Sequence, residues 1–530
     1  MDDQYLKKLL EQLDRRSPAR SRADGADASQ RAAPLPSTGP PLGPAPTSGE
    51  STARSGPPHR ALQIEPLTNP PGSSRRESPP ASGSAGPRLA SPARPAARGE
   101  PERDVAARRP VEFFPRSPRS LAEARLREEE IEAIALRMLL QNTYSGRDIA
   151  EQLRLPFSLM EPLLARFKAD QWVQHKAAAP LSDYQYQLAP AGIEVARGYQ
   201  LRSSYIGPAP VALEDYVAAV EAQSIAQVAV DLSDLDAVFE DLIVGADLKN
   251  QIGQALQEAR GFFFYGCPGN GKTSIAQRVA QAFGQTIWIP RFVSVEGQII
   301  QLFDRSKHVE TPPPIQSPAD AQELDRRWTS IRRPTIVAGG ELTLEQLEIS
   351  LNKWTGVCEA PLQMKSNGGT LLIDDFGRQR TSTRDLLNRW IVPLDRGHDY
   401  LNLPSGHTIR IPFDQLLVFS TNLQPKDLID EAFLRRLPYK IEAPDPTESE
   451  FRELFQIYGE RLGVEHSAEA VEHLLAKHYR GKRRPLRFCQ PRDLLKQVRN
   501  YCRFNKLPVA MSPLNFDVAV RNYFSLMNNA

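Results

Sequence analysis

The run Gly266-Cys267-Pro268-Gly269-Asn270-Gly271-Lys272-Thr273 fits the spacing G-x-x-x-x-G-K-[ST], which is built to hold phosphate. Its glycines let backbone N–H groups curl around the β- and γ-phosphates of a nucleotide, through Ser274, and the N-terminus of a following helix adds its positive end. Lys272 supplies a neutralising charge, and the Thr273 hydroxyl is a ligand for Mg²⁺. A second run, Thr370 to Asp375, is apolar until it ends in two acids. An apolar run ending this way is otherwise a strand entering a loop. Beside a phosphate loop, Asp374 becomes the metal-side acid, and Asp375 is placed to orient or deprotonate an attacking water. The chemistry such a set would do is hydrolysis of a nucleoside triphosphate, with Mg²⁺ as the metal.

These residues need a scaffold of a definite kind. Phe262 to Tyr265 is an apolar run that leads into the loop, and a helical stretch follows to Phe283, so strand, loop and helix stand in the required order. From about Asp236 onward the chain resembles the AAA+ ATPases. "LLVFSTN" at Leu416 to Asn422 is similar to the sensor 1 strand, which implies that Asn422 feels the γ-phosphate. "DEAFLRRLPYKI" resembles the segment with the arginine finger, with Arg435 and Arg436 as candidates to reach a neighbouring subunit. "CQPRDLLKQV" is similar to sensor 2, placing Arg492 near the phosphates, and "FEDLIVGADLKNQI" looks like the segment that lines the adenine, around Ile243, Val244 and Gly245. Taken singly, Arg435 and Arg436 are also a solvated pair at a helix end and Asn422 a loop cap.

Two departures accompany the resemblance. Asp375 stands where most active members carry Glu, one methylene longer, so hydrolysis is expected to be slow unless the backbone compensates. An insertion is expected over about 306–363, after the strand near Trp288. It includes a helix around Leu324 to Trp328 and a hairpin turned at Gly339 and Gly340. A second hairpin is expected over Asp399 to Phe413, where it resembles pre-sensor-1 insertions. "GGELTLEQL" and "DDFGRQR" look like a group of bacterial MoxR-like ATPases with an N-terminal winged helix.

The N-terminal part has another character. Of the 46 prolines, 21 fall between Ser17 and Arg119, in a stretch rich in Ala, Ser, Gly and Arg, the composition of a disordered arm. That arm holds 15 Arg against 9 acids, or +6, so the net charge of +2 leaves the remainder near −4. Such a balance does not describe a general polyanion binder. Ahead of the arm, Tyr5, Leu6, Leu9, Leu10 and Leu13 recur at helical spacing. After it come a helix from Leu121 to Gln141, then "GRDIAEQL", a helix from Ser158 to Gln171 and two short strands. This is the order of a winged helix, and "YQLAPAGIEVARG" is similar to bacterial examples. Its second turn-motif helix offers only Arg166 and Lys168 as cations, which favours protein contact over DNA.

The expected class is therefore α/β: a nucleotide-binding core with a parallel sheet and helices on both faces, plus a helical lid, preceded by a winged helix and a disordered Pro/Arg-rich arm. The expected divisions are a short helix over 1–16, the arm over 17–119, the winged helix over 120–204, a linker helix over 205–235, the core over 236–445 and the lid over 446–530. Lid helices are expected at Glu448 to Leu462, Ala468 to His478 and Asp493 to Phe504. His466, His473 and His478 read as surface or packing residues rather than ligands, and "RGKRRPLR" at Arg480 to Arg487 as solvated lid charge. Four scattered cysteines fit a reducing cytosol, and no export signal or membrane span is expected. The functional expectation is a ring, a hexamer by the family resemblance, that remodels a client protein recruited through its N-terminal modules. Two alternatives stand beside it: a DNA-associated regulator, and a nucleotide switch with little hydrolysis.

Overall fold

The computed structural model describes residues 113–284, 286–315, 317–428 and 431–525. The helix expected over 1–16, and the expected arm up to residue 112, lie outside these residues.

Four runs without a charged side chain, Gly261–Tyr265, Thr335–Ala338, Thr370–Ile373 and Leu416–Thr421, form most of a five-stranded sheet. Tyr439–Glu442 completes it. The order is Thr335–Ala338, Thr370–Ile373, Leu416–Thr421, Gly261–Tyr265, Tyr439–Glu442, and every pairing is parallel. Uninterrupted apolar strands of this kind arise because both faces of a parallel sheet are covered. Here Phe262 and Phe264 turn to one face and pack with Ile252, Ala255 and Leu256 of the helix Ala246–Glu258. Phe263 turns to the other face, stacks on Phe419 at 4.9 Å between ring centroids, and joins Leu386, Trp390 and Leu394 of the helix Thr383–Arg396. Helices on both faces of a parallel sheet are the expected class. The parallel arrangement also puts the carboxyl ends of the strands on one side, where loops can converge on a ligand.

Within the expected insertion the strands fall differently from the sequence expectation. Thr335–Ala338 is the edge strand of the central sheet, and Gly339 and Gly340 lead into a turn and a short 3-10 helix, Leu344–Leu347, with no hairpin there. Pairing with the buried Thr370–Ile373 satisfies the strand's backbone better than folding back on itself. Thr286–Pro290, which contains Trp288, leaves the central sheet and pairs antiparallel with Trp328–Arg332. Trp328 thus opens a strand. The helix expected around it lies earlier, at Pro318–Glu323, where a capping box between Ser317 and Asp320 starts it. The hairpin after the helix Thr383–Arg396 forms from His398–Asn402 and Thr408–Pro412.

The segment expected to be a linker helix over 205–235 is built into the body. Val211–Ala212 is an edge strand parallel to Phe292–Val295, and Tyr216 of the helix Leu213–Ala222 is 1% exposed. Residues 113–119, assigned from composition to the arm, also pack: Phe113 lies 5.4 Å from the ring of Trp328 and Phe114 lies 6.0 Å from Trp288. Two adjacent aromatics outweigh the prolines around them, because each buries a large apolar area.

Ahead of this body, helices Glu128–Gln141, Gly146–Leu153 and Phe157–Ala169 share one core with a three-stranded antiparallel sheet whose order is Tyr144–Ser145, Asp183–Leu188, Val173–Ala179. The first helix begins at Glu128 and not at Leu121, since Arg125 takes a left-handed backbone (φ 50) that breaks the periodic run. At the other end of the chain, helices Glu448–Leu462, Ala468–Leu474, Gln490–Phe504 and Pro513–Tyr523 enclose Phe451, Phe455, Leu494, Val498 and Phe516. The second is shorter than expected because a π turn, Leu475–Tyr479, takes over before His478. No helix among the described residues is long and apolar enough to cross a membrane.

Candidate functional site

Three neighbouring strands of the central sheet end together. Gly261–Tyr265 runs into the loop 266–271, Thr370–Ile373 ends at Asp374, and Leu416–Thr421 ends at Asn422. Their polar side chains meet in one network. Lys272, only 7% exposed, donates to the carbonyls of Gly266 and Cys267, each at 3.0 Å, and to Asn422 Oδ1 at 2.7 Å. Burial pushes its ammonium below the usual range against the pull of Asp374 and Asp375. Asn422 in turn donates through Nδ2 to Asp375 Oδ1 at 3.2 Å. The Thr273 hydroxyl donates to both carboxylate oxygens of Asp374, at 3.1 and 2.9 Å. A hydroxyl and a carboxylate facing each other this closely are an oxygen-only donor set, the kind a hard cation such as Mg²⁺ takes.

The loop itself depends on glycine. Gly269 has φ 87, which strains any other residue, and a Cβ there would stand 2.5 Å from Cys489 Sγ, so that side chain would have to move. Its carbonyl accepts from the Cys489 amide at 2.9 Å, tying the loop to the start of the helix Gln490–Phe504. Asn270 is 4% exposed and donates to the Pro444 carbonyl at 3.0 Å and to Asp445 Oδ1 at 2.7 Å, and Asp445 is ion-paired with Arg487. The lid thus reaches the loop by a main-chain bond and by an ion pair. Part of the basic run at Arg480 to Arg487 is spent this way. Arg480 pairs with Glu448 and Glu472, and Arg484 lies 4.1 Å over the ring of Phe524.

Between sheet, loop and lid lies a cavity of about 470 Å³, within the range of small-ligand sites. Of the residues singled out from sequence, Pro268 to Ser274, Asp374, Asp375, Asn422, Arg492, Ile243 and Val244 line it. Gly266 and Cys267 stand behind it as acceptors for Lys272. Gly245 instead caps the helix Ala246–Glu258. Arg492 is held by its neighbour Asp493 at 3.0 Å, and that hydrogen bond raises its guanidinium above the usual range. Arg435 is exposed and Arg436 pairs with Asp395 at 2.9 Å, and neither lines the cavity of its own chain.

Several lining residues escaped the sequence. Leu454, Ile457, Tyr458 and Arg461 form one stripe of the first lid helix, and their spacing at i, i+3, i+4 and i+7 was a legible signal. Arg378 lines the cavity just after the paired acids. Gln379 carries no sequence signal, yet its amide nitrogen donates to the carbonyls of Asp374 at 3.0 Å and Asp375 at 3.3 Å, while its oxygen accepts from Gly377 at 2.9 Å. It closes a turn in which Asp375 has φ 48, a left-handed backbone that Asp adopts more readily than most residues.

A family model described as "Domain of unknown function (DUF8689)" matches residues 447–522, the lid. No curated protein sequence matches this chain. Among solved structures, the chain is similar to NtrX from Brucella abortus in complex with ATP, at 14% identity and TM-score 0.31, over 52% of this chain and 55% of that one. The chain thus spans about half the length of NtrX. It is also similar to the Thermotoga maritima RuvB Holliday junction branch migration motor, at 16% identity and TM-score 0.30, over 53% of this chain and 70% of that one.

Proposed function

We propose that this protein is an AAA+ ATPase subunit that binds and hydrolyses ATP and, in a ring of its own copies, remodels a client protein. The observation that carries the reading is the single network in which Lys272 and Asn422 join the phosphate loop to Asp375, beside the facing pair Thr273 and Asp374. In this reading the loop Gly266 to Ser274 holds the phosphates through the backbone N–H groups of its residues other than Pro268, Ile243 and Val244 pack on the base, and Arg492 adds charge from the lid. Thr273 and Asp374 would hold Mg²⁺, whose charge offsets that of the phosphates. Asp375, oriented by Asn422, takes the proton of the attacking water.

Arg435 and Arg436 sit away from their own chain's cavity, which supports a role toward the site of a neighbouring subunit, and a closed ring, by resemblance a hexamer, follows from such sharing. The N-terminal three-helix module supports client choice by protein contact, as a winged helix would make it. Arg166, one of the two cations of its third helix, is already paired with Glu128 and Glu132 and is poorly placed to read DNA. ATPase rate per subunit, measured against protein concentration, tests the proposal. A rise with concentration is expected, along with a fall in kcat of roughly 100-fold or more in Lys272→Ala. A rate independent of concentration would remove the shared site, and a salt-dependent shift of duplex DNA by the full chain would favour the DNA-associated alternative.

A further inference from the structure

On the lid, His473, His478 and Asp517 converge. Two histidines five residues apart lie roughly 140° apart around a regular α-helix and cannot serve one point. The π turn Leu475–Tyr479 begins just after His473 and adds a residue to the turn, which brings His478 back to the same side. Such π bulges cost regular hydrogen bonding and are frequent at functional sites. Both rings direct Nε2 to a single oxygen, Asp517 Oδ1, at 3.2 Å from His473 and 2.6 Å from His478. The three donor atoms all lie within 4.8 Å of one another. Around a four-coordinate ion with bonds near 2.0–2.2 Å, neighbouring donors stand roughly 3.4 Å apart, so closing the set takes a shift on the order of 1 Å.

The surroundings suit a ligand set. His478 is 8% exposed, whereas the side chains of His473 and Asp517 are 31% and 27% exposed, leaving an approach from solvent. Lys477 holds the other carboxylate oxygen, Oδ2, at 2.7 Å, which leaves Oδ1 for the histidines. An outer partner on the far oxygen is how ligating carboxylates are commonly oriented. Two imidazoles and one carboxylate match the borderline-soft first-row ions and not Mg²⁺ or Ca²⁺.

We propose that His473, His478 and Asp517 form a three-ligand site for a first-row divalent cation of the zinc class, with an open position toward solvent. The ion pins the final helix, Pro513–Tyr523, to the π turn. The test uses the full chain, free of tags, stripped with chelator and without nucleotide, titrated with Co²⁺ and followed by visible absorption. One equivalent giving the intense bands of four-coordinate Co²⁺ is expected, bleached by Zn²⁺ and retained in Thr273→Ala. His473→Ala, at the more exposed ligand, should weaken binding by about 10-fold or more, and so should His478→Gln. If His478→Gln does not fold, His473→Ala decides alone. Only the weak bands of six-coordinate Co²⁺, or intense bands that survive in His473→Ala, would overturn the site.

Discussion

Asp375 is held both at its backbone and at its carboxylate. Its φ of 48 and the two carbonyl bonds from Gln379 fix the backbone, while Asn422 fixes the carboxylate. Under the proposed function Gln379 would act through Asp375, as a positioning residue. Gln379→Ala is therefore expected to lower kcat by about 10-fold with little change in KM, as an interaction realised in the transition state would, and steady-state kinetics read the split. A second residue-scale expectation concerns acid. Burial pushes Asp304 up, but hydrogen bonds from Ser306 and from Lys365 at 3.0 Å outweigh it and hold the carboxyl at about 2, below 3.8. The folded value is depressed, so this contribution is complete above pH 3.8 and is lost as pH falls toward about 2. Asp304→Asn should cost about 1 kcal/mol near neutral pH, because the buried Lys365 loses one carboxylate partner and keeps Glu359, and should flatten the acid limb of a denaturation series.

At the scale of elements, the carboxyl ends of three parallel strands do the positioning, and the helices around them are held by close backbone contact. Such contact is most severe in the N-terminal module. A Cβ on Gly192 would stand 1.9 Å from the Trp172 carbonyl, so the helix Pro190–Arg202 can lie against the backbone of Trp172, just ahead of the strand Val173–Ala179, only with glycine there. Gly192→Ala forces the helix outward, at a cost of roughly 1–3 kcal/mol by the usual scale of overpacking. Hydrogen exchange should show the loss in residues 128–202 while the central sheet keeps its protection.

For the molecule as a whole, residues 113–119 belong to the folded body although their composition is that of the arm. Phe113 and Phe114 cover Trp328 and Trp288, which lie on the paired strands Trp328–Arg332 and Thr286–Pro290. Both are partly buried, so each stabilises by about 1 kcal/mol, less than the roughly 1.5–3 kcal/mol of full burial. A chain trimmed to start at residue 120 is thus expected to melt several degrees below one that starts at residue 112, and scanning calorimetry compares them. The lid contributes at the same scale, since Cys489 and Arg487 bind the loop and the strand end beneath it. A change in the loop must be felt by the lid.

Residue type and short-range spacing were enough to identify the phosphate loop, the paired acids and the buried strands, because those features depend on backbone freedom and hydropathy within a few residues. Leu454, Ile457, Tyr458 and Arg461 were not singled out, although their helical spacing was there to be read. Strand partners, by contrast, are set by which edges remain open once the core is packed. Only the tertiary structure placed Thr335–Ala338 in the central sheet and paired the strand of Trp288 with Trp328–Arg332 outside it. Gln379, and the meeting of His473 and His478 with Asp517, were likewise beyond the sequence. One depends on a left-handed turn and the other on a π turn, and both are local geometries that the surrounding packing selects.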